Sequence, residues 1–295
     1  METNMIGIVG AGQMGSGIAQ VVAPAFPHVI LFDLDGSVLE DAFATITQGL
    51  NESVRKGKLT EWVREKTLKK IKVTTKFEDL YPCHLVIEAA PEKEEIKLEI
   101  FEELDDLCPE ETLFATNTSS LSITRLASGI NRPERFIGIH FMNPAPAMDL
   151  VEIIRGWETS EETFQRAMDF VQKLGKTAVT AKDMPGFIVN RIMMPMINEA
   201  IFALAEGVGS AEDIDAAMTL GGRHPMGPLA IADMIGLDIC LDVMEILYSE
   251  FSDSKYRPAP LLRKHVEANF LGRKTGKGFY EYSEKKQKHI ELTGK

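Results

Sequence analysis

His140 closes an apolar run. The five residues before it, Arg135–Ile139 (RFIGI), read as a buried strand, and a glutamate follows twelve residues later in HFMNPAPAMDLVEII, at Glu152. An imidazole titrates near neutral pH, so it can take a proton from a hydroxyl group as bonds to the carbinol carbon change. The two prolines of NPAPAM suit a chain reversal, and LVEII (Leu150–Ile154) has the pattern of a strand running back. Such a return would bring Glu152 to His140. A carboxylate on the far ring nitrogen fixes the tautomer and stabilises the imidazolium. Taken alone, a histidine at this place is more often a hydrogen-bonded core residue, so the reading depends on what surrounds it.

The N-terminal stretch IGIVGAGQMGSGIA supplies a second candidate site. It contains Gly10-x-Gly12-x-x-Gly15, with Gln13 and Met14 between the last two glycines, an apolar strand before it and a helical pattern after it. Gly10 permits the tight turn, Gly12 lets the backbone approach a pyrophosphate, and Gly15 allows the helix to pack closely on the strand. The helix N-terminus then offers N–H donors to phosphate. Asp33 ends the second strand, eighteen residues after Gly15. A carboxylate there accepts both ribose hydroxyls and repels a 2′-phosphate. No arginine follows in DLDGSVLE, which favours NAD over NADP. A lone glycine pattern is weak evidence, and a lone Asp can merely cap a turn; the order strand, glycines, helix, strand, acid is what gives both weight.

Those residues need a sheet to hold them. MIGIVG (Met5–Gly10), HVILFD (His28–Asp33), HLVIEA (His84–Ala89), LFATN (Leu113–Asn117) and FIGIHF (Phe136–Phe141) read as strands with helical segments between them, such as Glu94–Leu107. This alternation predicts an α/β fold, a Rossmann-type doubly wound sheet. Leu39–Leu68 is too long for a simple crossover and reads as a helical hairpin projecting from the sheet. Past KDMPGFIVNR (Lys182–Arg191) strand alternation stops. We therefore expect a dinucleotide-binding domain over residues 1–183 and an all-α domain over residues 184–295. In the latter, Ser210 is a plausible N-cap, and GPLAIADMIGLDICLDVMEILYSEF reads as one helix with Pro228 just inside its start. The helices carry more apolar surface than so small a bundle can bury, which points to a homodimer through this domain.

Composition narrows the class. A net charge of −12 over 295 residues argues against a general nucleic-acid binder, which needs a basic face, but leaves room for a local anion pocket. The three cysteines, Cys83, Cys108 and Cys240, are far apart and lack zinc or disulfide spacing, so reduced thiols and no metal site are expected. The most apolar long stretch, Phe187–Ala205, is broken by Asn190, Arg191, Pro195 and Glu199 and is a poor membrane span. METNMIGIVG runs straight into a strand without the regions of a signal peptide, and a cytoplasmic location is expected.

With the glycine fingerprint come NTSSL (Asn117–Leu121), HFMNP (His140–Pro144), LVEII, PGFIVNR (Pro185–Arg191) and GRKTGKGFYEY (Gly272–Tyr282), in this order. Over essentially its whole length the sequence resembles the L-3-hydroxyacyl-CoA dehydrogenases, and among them the stand-alone bacterial 3-hydroxybutyryl-CoA dehydrogenases of fatty acid metabolism and β-oxidation. Met142 stands where the family often has phenylalanine. The resemblance implies reversible oxidation of the 3-hydroxyl of an (S)-3-hydroxyacyl-CoA to the ketone, with NAD as hydride acceptor. It makes His140 the catalytic base and Glu152 its partner, with Ser119 and Asn190 in contact with the substrate. It places Asn143 beside the nicotinamide and adds Glu92, Lys97, Ser119 and Lys274 as cofactor contacts. Ser53 and a lysine of SVRKGKL, Lys58 in preference to Lys56, match coenzyme A contacts. No GxSxG elbow surrounds Ser119, which argues against a covalent serine. Alternatives from the residues alone are a related dehydrogenase of a free hydroxy acid or sugar acid, a silent structural homologue, and a piece of a larger multienzyme.

Overall fold

The computed structural model describes residues 5–282. The chain divides between Phe187 and Ile188 into two compact units.

In the first unit the strands are β1 (Met5–Val9), β2 (His28–Phe32), β3 (Ile71–Thr74), β4 (Leu85–Glu88), β5 (Leu113–Thr116), β6 (Phe136–Phe141), β7 (Leu150–Arg155) and β8 (Thr177–Lys182). The helices are α1 (Gln13–Ala25), α2 (Gly36–Arg55), α3 (Glu61–Leu68), α4 (Glu94–Leu107), α5 (Ile123–Ala127) and α6 (Glu161–Lys173). The strands form one eight-stranded sheet in the order β3-β2-β1-β4-β5-β6-β7-β8, and β6–β7 is its antiparallel pair. Both faces are covered, as a parallel sheet requires. Successive strand residues alternate between two cores. Ile6, Ile8, Val29, Leu31, Leu85 and Ile87 share one with Ile18 and Val22 of α1 and Phe170 of α6. Val9, Ile30, Phe32, Val86, Phe114 and Phe136 share the other with Phe101 and Leu104 of α4. Runs of mostly apolar residues, with period two between the faces, are the sequence form of a doubly covered sheet.

The doubly wound sheet expected from the sequence is present, with two strands beyond those read from the sequence. β3 buries only its end residues, and β8 is largely exposed. Both are edge strands, where one side chain in two or fewer needs to be apolar. The Leu39–Leu68 segment is a pair of helices, but it does not project clear of the sheet. Leu39, Ala42, Ile46 and Leu50 form one stripe of α2, buried in the core beside α1. Asp35 caps α2 by accepting from Ser37 N, and Thr60 caps α3 by accepting from Val63 N.

The second unit holds α7 (Val189–Ala205), α8 (Ala211–Ala216), α9 (Pro228–Ile235), α10 (Leu237–Phe251) and α11 (Pro260–Glu267) around a core that includes Met194, Ile201, Leu229, Leu237, Met244 and Leu262. Among the described residues it has isolated bridges but no strand. Ser210 caps α8, accepting from Asp213 N as its sequence context predicts. The long helix expected after Pro228 is instead two. Gly236, at φ +108°, breaks it, and a Cβ there would meet Asp238 Oδ1 at 2.9 Å. Two carboxylates fasten the GRKTGKGFYEY segment to this unit. Asp233 accepts from Phe279 N, Tyr280 N and the Tyr282 hydroxyl. Asp215 accepts from Leu229 N, Ala230 N and the Tyr280 hydroxyl.

Candidate active site

The antiparallel turn-back between β6 and β7 decides what His140 meets. The register pairs His140 directly with Glu152, so the two side chains leave the same face of the sheet. His140 Nδ1 lies 2.8 Å from Glu152 Oε2. The ring is 6% exposed and the carboxylate 0%. Against an ionised carboxylate, which can only accept, the tautomer that completes this contact is the one with its proton on Nδ1, and that tautomer leaves Nε2 with an outward lone pair. The Phe187 ring stands edge-on to the imidazole at 5.6 Å between centroids. The chain reversal itself is pinned: Lys176 Nζ donates to Ala145 O and Met148 O. Phe141 N donates to Asn117 Oδ1 at 2.9 Å, which ties the end of β6 to the end of β5.

At the end of β1 the three glycines are required by three different contacts. Gly10 has φ +95°, and a Cβ there would fall 2.7 Å from Ala89 O on β4's continuation. A Cβ on Gly15 would overlap Gly10 O at 1.7 Å, so no other residue lets α1 start there. Gly12 faces open space, and no side chain caps α1. The first-turn N–H groups of Gln13, Met14 and Gly15 therefore remain available to an anion. Asp33 is joined to this loop: Ala11 N donates to its Oδ2 at 2.7 Å, and Asp35 N to its Oδ1 at 3.1 Å. Asp33 thus both caps its turn and sits against the glycine loop. These residues fit the adenosine and pyrophosphate of a dinucleotide.

Glu92 and Lys97 are brought together with a residue the sequence reading passed over, Glu88 at the end of β4. Lys97 Nζ, in a side chain 1% exposed, is 2.6 Å from Glu88 Oε1 and 3.3 Å from Glu92 Oε2. Burial pushes the Glu88 carboxyl up, against the opposing pull of the Lys97 ammonium and the Thr116 hydroxyl. Burial acts in the same sense on Glu92, but Lys97 and donors from Thr118, Ser119 and Ser120 outweigh it and hold that carboxyl below the usual range. Ser119, half-buried, follows β5 and donates its backbone N–H to Glu92 Oε1 at 2.8 Å. The signal available in the sequence for Glu88 was an ionisable side chain at the end of an apolar run, as for His140.

Gly10–Gly15, Glu88–Glu92, Asn117–Ser119 and His140–Asn143 all lie at carboxyl ends of neighbouring parallel strands, with β1 and β4 adjacent where the strand order reverses. That is the edge at which doubly wound sheets bind ligands. Asn143 is exposed just beyond β6. Ser53, on α2, bonds back to Gly49 O, and Lys58 follows the end of that helix, exposed. Lys56 is engaged with Glu52 at 2.7 Å, whereas Lys58 has no ion-pair partner among the described residues. In the second unit Asn190 is buried in the first turn of α7, and Lys274 Nζ is held by both oxygens of Asp238 at 2.6 and 2.5 Å.

Residues 5–184 match the family of 3-hydroxyacyl-CoA dehydrogenase NAD binding domains, and residues 186–282 match the 3-hydroxyacyl-CoA dehydrogenase C-terminal domain. The chain belongs to the 3-hydroxyacyl-CoA dehydrogenase family. It is 55% identical over 277 residues to a 3-hydroxybutyryl-CoA dehydrogenase of Bradyrhizobium diazoefficiens, covering 94% of each chain. It is 42% identical to the human mitochondrial hydroxyacyl-coenzyme A dehydrogenase, covering 93% of this chain and 90% of that one. The crystal structure of (S)-3-hydroxybutyryl-CoA dehydrogenase from Ralstonia eutropha superposes with a TM-score of 0.92 at 49% identity, over 96% of this chain and all of that one. As a 3-hydroxyacyl-CoA dehydrogenase the chain is an NAD-dependent oxidoreductase. Among the described residues no helix is long and apolar enough to cross a membrane.

Proposed function

We propose that this dehydrogenase interconverts a short-chain (S)-3-hydroxyacyl-CoA, 3-hydroxybutyryl-CoA above all, and its 3-keto form. The observation that carries the reading is the buried His140–Glu152 pair at the end of β6, on the sheet edge that holds the glycine loop. Bound NAD supplies a hydride acceptor. His140 Nε2 takes the proton of the substrate hydroxyl as the carbinol C–H bond breaks, and returns it in the reverse direction. Glu152 keeps Nδ1 protonated and offsets the charge that develops on the ring. Ser119 and Asn190 orient the substrate oxygen. Gly10, Gly12, Gln13, Met14 and Gly15 hold the pyrophosphate and Asp33 the adenosine ribose, while Asn143, Glu92, Lys97, Ser119 and Lys274 serve the rest of the cofactor. Ser53 and Lys58 meet coenzyme A.

We assign cofactor binding to residues 1–183, and acyl-substrate binding and homodimerisation to residues 184–295. Ile192, Val208 and Leu220 of the second unit are exposed apolar side chains that a second copy would bury; sedimentation of the purified protein as a monomer would exclude this. A cytoplasmic location fits the same reading. The deciding experiment is spectrophotometric turnover of acetoacetyl-CoA with NADH and with NADPH, followed by a chain-length series and by the free 3-hydroxy acid. Turnover restricted to the thioesters, fastest at four carbons and with NADH, is expected. Preference for the free acid would replace this reading with that of a hydroxy-acid dehydrogenase.

A further inference from the structure

Glu88 is completely buried; of the groups assigned to the reaction it touches Lys97 directly, and it reaches Glu92 and Ser119 only through that lysine. Its two oxygens are fully engaged: Oε1 takes Lys97 Nζ at 2.6 Å and Ala90 N at 2.6 Å, and Oε2 takes the Thr116 hydroxyl at 2.6 Å. Lys97 also reaches Glu92 Oε2 at 3.3 Å, and so holds that end of the carboxylate. The other end, Oε1, gathers the loop after β5: Thr118 Oγ1 at 2.5 Å, Ser119 N at 2.8 Å, Ser120 Oγ at 3.0 Å and Ser119 Oγ at 3.2 Å. A continuous chain of charge-assisted contacts therefore runs from the end of β4, through α4, to the backbone and hydroxyl of Ser119.

A buried ion pair of this kind does little for net stability, because desolvation of both charges consumes most of the attraction. An apolar pair would fill the same space between β4 and α4. What the charges accomplish is directional: a cation shared between two carboxylates fixes how far each stands from it. With Glu88 charged, Lys97 rests close to Glu88 and more distant from Glu92. If that charge is removed, Lys97 is drawn towards Glu92, and Glu92 must give up part of its hold on residues 118–120.

We propose that Glu88 is a positioning residue for Ser119, acting through Lys97 and Glu92. The kinetic part of this proposal rests on the dehydrogenase reading above; the structural part does not. The test is Glu88→Gln, which keeps size and hydrogen-bonding capacity but not charge. Thr112→Val serves as control, since it removes the buried Thr112 Oγ1–Cys83 O bond at the far end of β5 without touching the chain of contacts. Amide hydrogen exchange at Ser119 should quicken roughly tenfold or more in Glu88→Gln and remain unchanged in Thr112→Val, as local opening is confined to the loop that has lost its anchor. The kcat for acetoacetyl-CoA should fall roughly ten- to hundredfold, the scale of a misplaced contact. In a Ser119→Ala background the same substitution should cost less than about twofold, because its effect passes through Ser119. Should Glu88→Gln not fold, Thr116→Val, which withdraws only the hydroxyl from Oε2, should shift exchange and kcat in the same direction to a smaller extent. Unchanged exchange at Ser119, or a loss of kcat repeated in full without the Ser119 hydroxyl, would overturn the proposal. If the unmodified enzyme turned over no thioester, the functional reading would fail while the exchange measurement still decided the role of Glu88.

Discussion

Glu152→Gln separates what the carboxylate does by charge from what it does by shape. The amide has the same size and can still hydrogen-bond at Nδ1, which Glu152 Oε2 approaches to 2.8 Å. Imidazolium charge is spread over the ring, so the charges lie about 4 Å apart; at an effective dielectric constant of about 20 their attraction is about 4 kcal/mol. Only the part that grows as the proton moves onto His140 affects the rate. With half to all of the charge developed at the transition state, the loss is about 2–4 kcal/mol, or roughly 30- to 1000-fold in kcat. Water cannot replace the lost charge, because position 152 is completely buried. The amide nitrogen could also turn towards Nδ1 and donate, leaving the ring proton on Nε2, where the substrate hydroxyl should be accepted.

His140→Ala removes the acceptor altogether and should lower kcat by roughly 10²–10⁴-fold, the usual range for a general base. The double variant should lie within about threefold of His140→Ala, since an orienter then has nothing to orient. The assay is steady-state turnover of 3-hydroxybutyryl-CoA, with NAD affinity measured separately by nucleotide fluorescence. NAD affinity should survive all three changes, because the pyrophosphate loop is built on β1 and α1. Fully additive losses would show that the two residues act independently, and a Glu152→Gln enzyme within twofold of the parent would refute the electrostatic account.

Asp33→Ala should weaken NAD binding by about tenfold or more and narrow the preference over NADP, because the carboxylate that repels a 2′-phosphate also holds Ala11 N in place; an unchanged ratio of the two Michaelis constants would refute the assignment. Lys58→Ala should raise the Michaelis constant for the CoA thioester more than that for a truncated thioester lacking the nucleotide, and Lys56→Ala, whose lysine is occupied by Glu52, should do so less; equal effects on both substrates would place Lys58 elsewhere. Burial pushes Cys83 and Cys240 up to about 12 and Cys108 up to about 11, so all three stay protonated at pH 8. The native protein should therefore resist a thiol-reactive dye that labels all three cysteines after denaturation, and rapid labelling of any one in the native state would contradict this.

Residues whose role is set by neighbours close in sequence could be read directly: the glycine turn, the acid after β2, and the histidine with a glutamate one hairpin away. Each depends on a local rule, namely a left-handed turn, a strand end, or a register fixed by a short reversal. Edge strands escaped because half-exposed backbone pairing imposes little on side chains, as TAVTAK of β8 shows. The break at Gly236 was hidden by the apolar residues on both sides of it, which are as suitable for one helix as for two. Glu88 escaped for a different reason. Its meaning lies in Lys97 one helix away and in Thr116–Ser120 a full strand further on, and no spacing rule links the three. A charge at the end of a buried strand has to be answered by something, because a lone buried carboxylate is too costly to retain. For His140 the answer comes from the next strand. For Glu88 it comes from a helix that passes the constraint on to Ser119, so the two ionisable side chains that stand in apolar strands both resolve towards the same edge of the sheet.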